Sequence, residues 1–201
     1  MDKTLLTRRF DDALLYASHV HGGQKRKATE IPYIAHLLGV ASLVLEDGGD
    51  EDEAIAALLH DAGEDQGGAP RVADIRARFG DRVADIVAAC SDSDVVDPRK
   101  KPPWRNRKRK YLAHLRAYPP DVLRVSVADK LHNARAILAD YRQHGNALWK
   151  RFNAGRDDQL WYYRSLVDRF RQMRPGRLTD ELARVVGELD RLVAVSKRSL
   201  S

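Results

Sequence analysis

Apolar residues recur at three- and four-residue spacing along most of the chain, and this rhythm predicts a succession of helices. From Leu5 to Val20 the apolar positions are Leu6, Phe10, Ala13, Leu14 and Ala17, and Gly22 and Gly23 stop the run. A second helix is predicted over Tyr33 to Leu45, restarted by Pro32 and carrying His36 in its first turn. Asp50 opens a third, in which Ala54, Ile55, Ala57, Leu58 and Leu59 offer a side to bury. Gly63 costs about 1 kcal/mol in a helix interior, so it bends or ends that helix. A loop is expected over Gln66 to Pro70, and Val72 to Phe79 and Asp81 to Ser91 then form short helices parted by Gly80. Trp104 to Tyr118 follows Pro103, whose fixed φ suits a helix start. Val122 to Gln143 carries the stripe Leu123, Val127, Leu131, Ala134 and Leu138, with Gly145 as C-cap. Gln159 to Met173 and Thr179 to Val195 complete the chain. No strand pattern and no internal repeat emerges. The expected fold is all-α, a single-domain helical bundle. Residues 1–175 form its body, and 176–201 form a C-terminal helix that packs on it or on a partner subunit.

Composition narrows the class. A chain of 201 residues with 43% hydrophobic content suits one compact domain with a sizeable core. No apolar run approaches the ~20 residues needed to cross a bilayer. The opening MDKTLLTRRFDDALL lacks the apolar centre of a signal peptide. The single cysteine, Cys90, has neither a disulfide partner nor a CxxC mate, and its spacing from Val83, Ile86 and Val87 reads as core. A cytoplasmic location is expected. The net charge of +6 favours an anionic partner without naming it. Much of the excess lies in Arg99 to Lys110, RKKPPWRNRKRK, which follows a polar, irregular stretch from Asp92 to Pro103. Nucleic acid, a polyphosphorylated small molecule or simple solubility each account for it.

The densest chemistry lies in AIAALLHDAGED, residues 54 to 65. On a continuous helix, His60 sits over Glu64 and Asp61 over Asp65. An imidazole and three carboxylates at the end of an apolar helix are costly to bury unless a cation holds them together. His36 and Asp129, from two further predicted helices, extend the set to two imidazoles and two carboxylates, as a site in a bundle core requires. These donors suit one first-row divalent ion, and the oxygen-rich set favours Mn²⁺ over structural zinc. Four protein ligands leave positions for water and a substrate oxygen. Glu64 and Asp65 are then placed to orient that water or take its proton. Each residue also has an ordinary reading: a His-Asp pair as a local hydrogen bond, His36 as a satisfied helix-start histidine, the basic run as a solvated face. His19, His21, His114, His132 and His144 show no partner pattern and receive no role.

Taken together, HGGQKRK, IPYIAHLLGVA, AALLHDAGED, FGDRVADIV and VADKLHNAR resemble the HD-type hydrolase domain of the RelA/SpoT homologues. The resemblance covers about residues 10 to 170, with the blocks in the family's order. Lacking a synthetase segment, the chain is similar to the stand-alone small alarmone hydrolases.

This resemblance implies an Mn²⁺ ion held by His36, His60, Asp61 and Asp129, with Glu64 and Asp65 serving the hydrolytic water. It implies removal of the 3′-pyrophosphate of (p)ppGpp, yielding GDP or GTP and pyrophosphate. Arg26 would pack on the purine beside Lys27, Asn133 would contact the nucleotide, and Tyr162 would line its ribose-phosphate side. Arg105 and Lys108, in the basic stretch, are candidate phosphate contacts. The partner is then a small nucleotide rather than a membrane or nucleic acid, and a homodimer is admitted. Three departures from the family stand out. Ser126 replaces a frequent lysine three residues before Asp129. Ala28 to Tyr33 reads ATEIPY where many relatives carry a glycine. Gly63 stands where a larger residue is commoner. Adenosine alarmones and the 2′-phosphate of NADPH remain alternative substrates, and a nucleic-acid-binding module on a decayed hydrolase fold is the alternative from another class.

Overall fold

The computed structural model describes residues 6–91 and 102–198. In chain order its helices are α1 (Arg8–Val20), α2 (Ile34–Glu46), α3 (Glu51–Leu59), α4 (Ala62–Asp65), α5 (Ala69–Phe79) and α6 (Asp81–Cys90). Then come α7 (Trp104–His114), α8 (Pro120–His144), α9 (Arg156–Met173) and α10 (Arg177–Arg198), with 3₁₀ turns at Leu115–Ala117 and Gly145–Arg151. Among the described residues the only β feature is an isolated antiparallel bridge, Lys25 to Pro32. The expected all-α architecture is the observed one. No described helix is long and apolar enough to cross a membrane.

Helix α3 is the axis. Ala54, Ile55, Ala56, Ala57, Leu58 and Leu59 are all 0% exposed, so this helix is apolar all round and enclosed on every side. Its three alanines let α1, α2, α6 and α8 close around it. A capping box between Asp50 and Glu53 fixes where it starts. Glu53 is itself buried and paired with Arg124 of α8, and Asp47, in the α2–α3 turn, accepts from both Arg124 and Arg174. These ion pairs tie the start of α3 to α8 and to the end of α9.

Helix α8, 25 residues long, is the second axis and buries the predicted stripe Leu123, Val127, Leu131, Ala134 and Leu138. It packs on α2, α3, α6 and α10. Gly145, at φ +54, ends it as expected, and the chain continues into a 3₁₀ segment that the apolar spacing does not announce. Helix α10 buries Leu182, Val185, Val186 and Leu189 in the same core and packs on α8 and α9 of its own chain.

Two expectations need correction. The helix that opens at Asp50 is interrupted at His60–Asp61, ahead of the bend or end expected at Gly63, and resumes as the single turn α4. Helix α5 starts at Ala69, with Pro70 in its first turn, so the loop expected over Gln66 to Pro70 is shorter. The irregular stretch expected over Asp92 to Pro103 lies almost wholly outside the described residues, as does the start of the basic run.

Candidate metal centre

His36 in the first turn of α2, His60 just after α3 and Asp129 midway along α8 are buried and converge, with ligand atoms all within 4.8 Å of one another. His36 Nε2 lies 3.3 Å from Asp129 Oδ1, and His60 Nε2 lies 3.6 Å from the same oxygen. Asp61 Oδ2 joins them from the helix break, 3.0 Å from His60 Nε2 and 3.5 Å from His36 Nε2. The consecutive residues His60 and Asp61, whose backbones both stay in the right-handed helical region, thus reach one point.

The residues fit a divalent cation. Both Nε2 atoms are buried and make no hydrogen bond, an arrangement that costs ~1–3 kcal/mol per unpaired group. His60 Nδ1–H donates to the Ala57 carbonyl at 2.8 Å, so Nε2 is the nitrogen left to ligate. Burial works against a charged His60, yet Asp61 and Asp129 hold it well above the ordinary imidazole range. Burial likewise opposes ionised Asp129, but Lys130, His36 and His60 hold it well below the carboxylate range. The site thus draws positive charge to the space between two acids.

A shell of partners fixes these groups. Tyr33 donates to Asp61 Oδ2 at 2.6 Å. Lys130 donates to Asp129 Oδ2, and its Nζ stands 5.0 Å over the Tyr111 ring. Asn133 donates its Nδ2 to Asp129 Oδ1 at 2.5 Å. His36 Nδ1 meets His132 Nδ1 at 2.9 Å. Burial, with His36 and Arg26 adding to it, pushes His132 down to about 4, so its ring is neutral at pH 7. Tyr33, Lys130 and His132 are absent from the residues expected from sequence. Ser126, where a lysine was missed, is fully buried with its hydroxyl 3.9 Å from Cys90 Sγ. Lys130, one turn along α8, brings an ammonium to Asp129 instead.

Around this centre lie the remaining expected residues. Glu64 on α4 is half-buried, and Asp65 is exposed and accepts from Gln24 Nε2 at 2.8 Å. Arg26 donates to Asn133 Oδ1 at 2.8 Å, joining the loop of residues 21–33 to α8. Lys27 donates to Asn153 at 2.8 Å. Tyr162 is buried with its hydroxyl unbonded, edge-on to Trp104, and Lys108 Nζ stands 5.1 Å over its ring. Arg105 is drawn elsewhere: it pairs with Asp158 and lies 4.6 Å over Trp161.

The family model for the HD domain matches residues 13–160. A guanosine-3′,5′-bis(diphosphate) 3′-pyrophosphohydrolase of Xenopus tropicalis is 37% identical over 129 residues, covering 63% of this chain and 68% of that protein. An Aquifex aeolicus protein of the same name is 36% identical over 122 residues, 61% of this chain but only 17% of the longer relative. Among solved structures, a metazoan ortholog of SpoT described as hydrolysing ppGpp superposes with a TM-score of 0.72 at 25% identity, covering 90% of this chain and 95% of the other.

Proposed function

From the HD domain family, to which this chain belongs, we propose a metal-dependent 3′-pyrophosphohydrolase of guanosine-3′,5′-bis(diphosphate). His36, His60, Asp61 and Asp129 hold one divalent ion, and their mixed nitrogen and oxygen donors favour Mn²⁺. The observation that carries this reading is the meeting of two unpaired, buried Nε2 atoms with two carboxylates at one point. When bound, such an ion supplies Lewis acidity to a phosphoryl group and acidifies a water.

The chain's own residues do the rest. Glu64 accepts the proton of the attacking water, one turn from the ligands. Water adds to the phosphorus on the 3′ oxygen, that O–P bond breaks, the 3′ oxygen takes up the proton that Glu64 received, and the nucleoside 3′-hydroxyl and pyrophosphate leave. Arg26 exchanges its hydrogen bond to Asn133 for the face of the purine. Lys27 and Lys108 meet phosphate charge, while Arg105, held by Asp158, contributes less.

The test is release of pyrophosphate from ppGpp, with pppGpp, ppApp and NADPH in parallel and Asp61→Ala as control. Turnover of a guanosine alarmone, lost in the variant, is expected. Inactivity on both guanosine substrates with turnover of ppApp or NADPH would overturn the substrate assignment while keeping the site.

A further inference from the structure

Within the metal site just proposed, His36 and His60 are oriented by different devices. His60 has the Ala57 carbonyl as its Nδ1 partner, whereas His36 has a second imidazole, Nδ1 to Nδ1 at 2.9 Å, with ring centroids 4.8 Å apart. Two facing Nδ1 atoms share one proton. If His36 ligates through Nε2, the proton sits on His36 Nδ1 and His132 accepts it. His132 must then carry its own proton on Nε2.

The α2 backbone is cut to fit this ring. Gly39 follows His36 by three residues and shares its face of the helix. A Cβ built at Gly39 would stand 2.3 Å from both Cδ2 and Nε2 of His132, so any side chain there would force the ring to shift. The clash is with the His132 ring alone, and Gly39 has no positive φ to explain its presence otherwise. His132 follows Asp129 by three residues on α8, so the same face of that helix carries a ligand and the residue that orients another.

We propose that His132 is a positioning residue for His36, with Gly39 as its seat: it accepts the Nδ1 proton, fixes the tautomer that bares Nε2, and thereby sets the metal affinity of the centre. The proposal rests on the metal reading above. Partners of this kind alter metal affinity by about 10- to 100-fold when lost.

The test is calorimetric titration of the metal-stripped full chain with Mn²⁺, and with Co²⁺ to record its absorption spectrum, alongside thermal melting. His132→Leu should weaken binding at least about tenfold and change the Co²⁺ spectrum. His132→Asn, whose amide oxygen can accept the same proton, should recover most of the affinity. Gly39→Ala should reproduce the loss with both histidines still present, so the proposal does not depend on the leucine variant folding. Wild-type affinity and spectrum in His132→Leu or Gly39→Ala, with an unchanged melt, would overturn the positioning role alone. No metal binding by the wild-type chain would overturn the metal reading, and this proposal with it.

Discussion

Tyr33 donates its phenolic proton to Asp61 Oδ2 at 2.6 Å, on the same oxygen that faces both His60 and His36. Burial, and then the charges of Asp61 and Asp65, push the phenol far up, so it remains a donor throughout the working pH range. The bond fixes which way Asp61 points. Tyr33→Phe should weaken metal binding by about tenfold while leaving the melting temperature of the metal-free protein nearly unchanged. Titration calorimetry with Mn²⁺ measures the first and a thermal melt the second.

Glu64 stands on α4, beyond the helix break that delivers His60 and Asp61. As the acceptor of the water's proton it acts on rate rather than on metal retention. Glu64→Ala should keep one bound ion per chain and lose about 10²-fold or more in kcat. Metal content by mass spectrometry, read beside pyrophosphate release, separates these effects. Full activity with metal retained would remove Glu64 from the mechanism.

Lys130 and Asp129 form a buried ion pair, with side chains 14% and 8% exposed. Removing one partner of such a pair typically costs about 3 kcal/mol or more, because the remaining charge is stranded. Lys130→Met should therefore melt earlier than wild type in the metal-free state. A cation placed beside Asp129 restores part of the loss, so added Mn²⁺ should raise the variant's melting temperature more than the wild type's. Equal shifts would mean that Lys130 and the ion do not share Asp129.

Ala28 has φ +56, the only positive value for a non-glycine among the described residues. Thr29 stabilises the turn, its N–H and hydroxyl both donating to the Arg26 carbonyl at 3.0 Å. The left-handed conformation costs an alanine about 1–2 kcal/mol, partly offset by glycine's greater entropy when unfolded. Ala28→Gly should raise the melting temperature slightly, by the equivalent of up to about 1 kcal/mol, and Ala28→Val should lower it. Differential scanning calorimetry decides between them.

The helices were legible because their apolar spacing is regular, and the stripe from Leu123 to Leu138 on α8 is buried as its spacing required. The four expected ligand positions also meet. The break at His60–Asp61 was harder to see. Gly63 was the visible signal for a bend, but the chain turns three residues earlier, where neither residue is a helix breaker. The partners of the ligands were hidden for a different reason. His132 shares a helix face with Asp129 at i, i+3, a usable signal, but its acceptor role depends on the crossing of α8 with α2 at Gly39. Lys130 is adjacent to Asp129 in sequence, a spacing that on helix geometry alone should not bring side chains together; only a long, bent-back lysine reaches. The pairing of Arg105 with Asp158 and Trp161 on α9 was not legible, because these neighbours come from 53 and 56 residues further along the chain.

The most direct measurement is pyrophosphate release from ppGpp by chain stripped of metal with chelator and then titrated with Mn²⁺, beside His60→Ala treated identically. The account predicts no turnover when stripped, recovery that saturates near one ion per chain, and no recovery in the variant. Turnover that survives stripping, or a His60→Ala protein that recovers as the wild type does, would contradict a catalytic metal centre at His36, His60, Asp61 and Asp129.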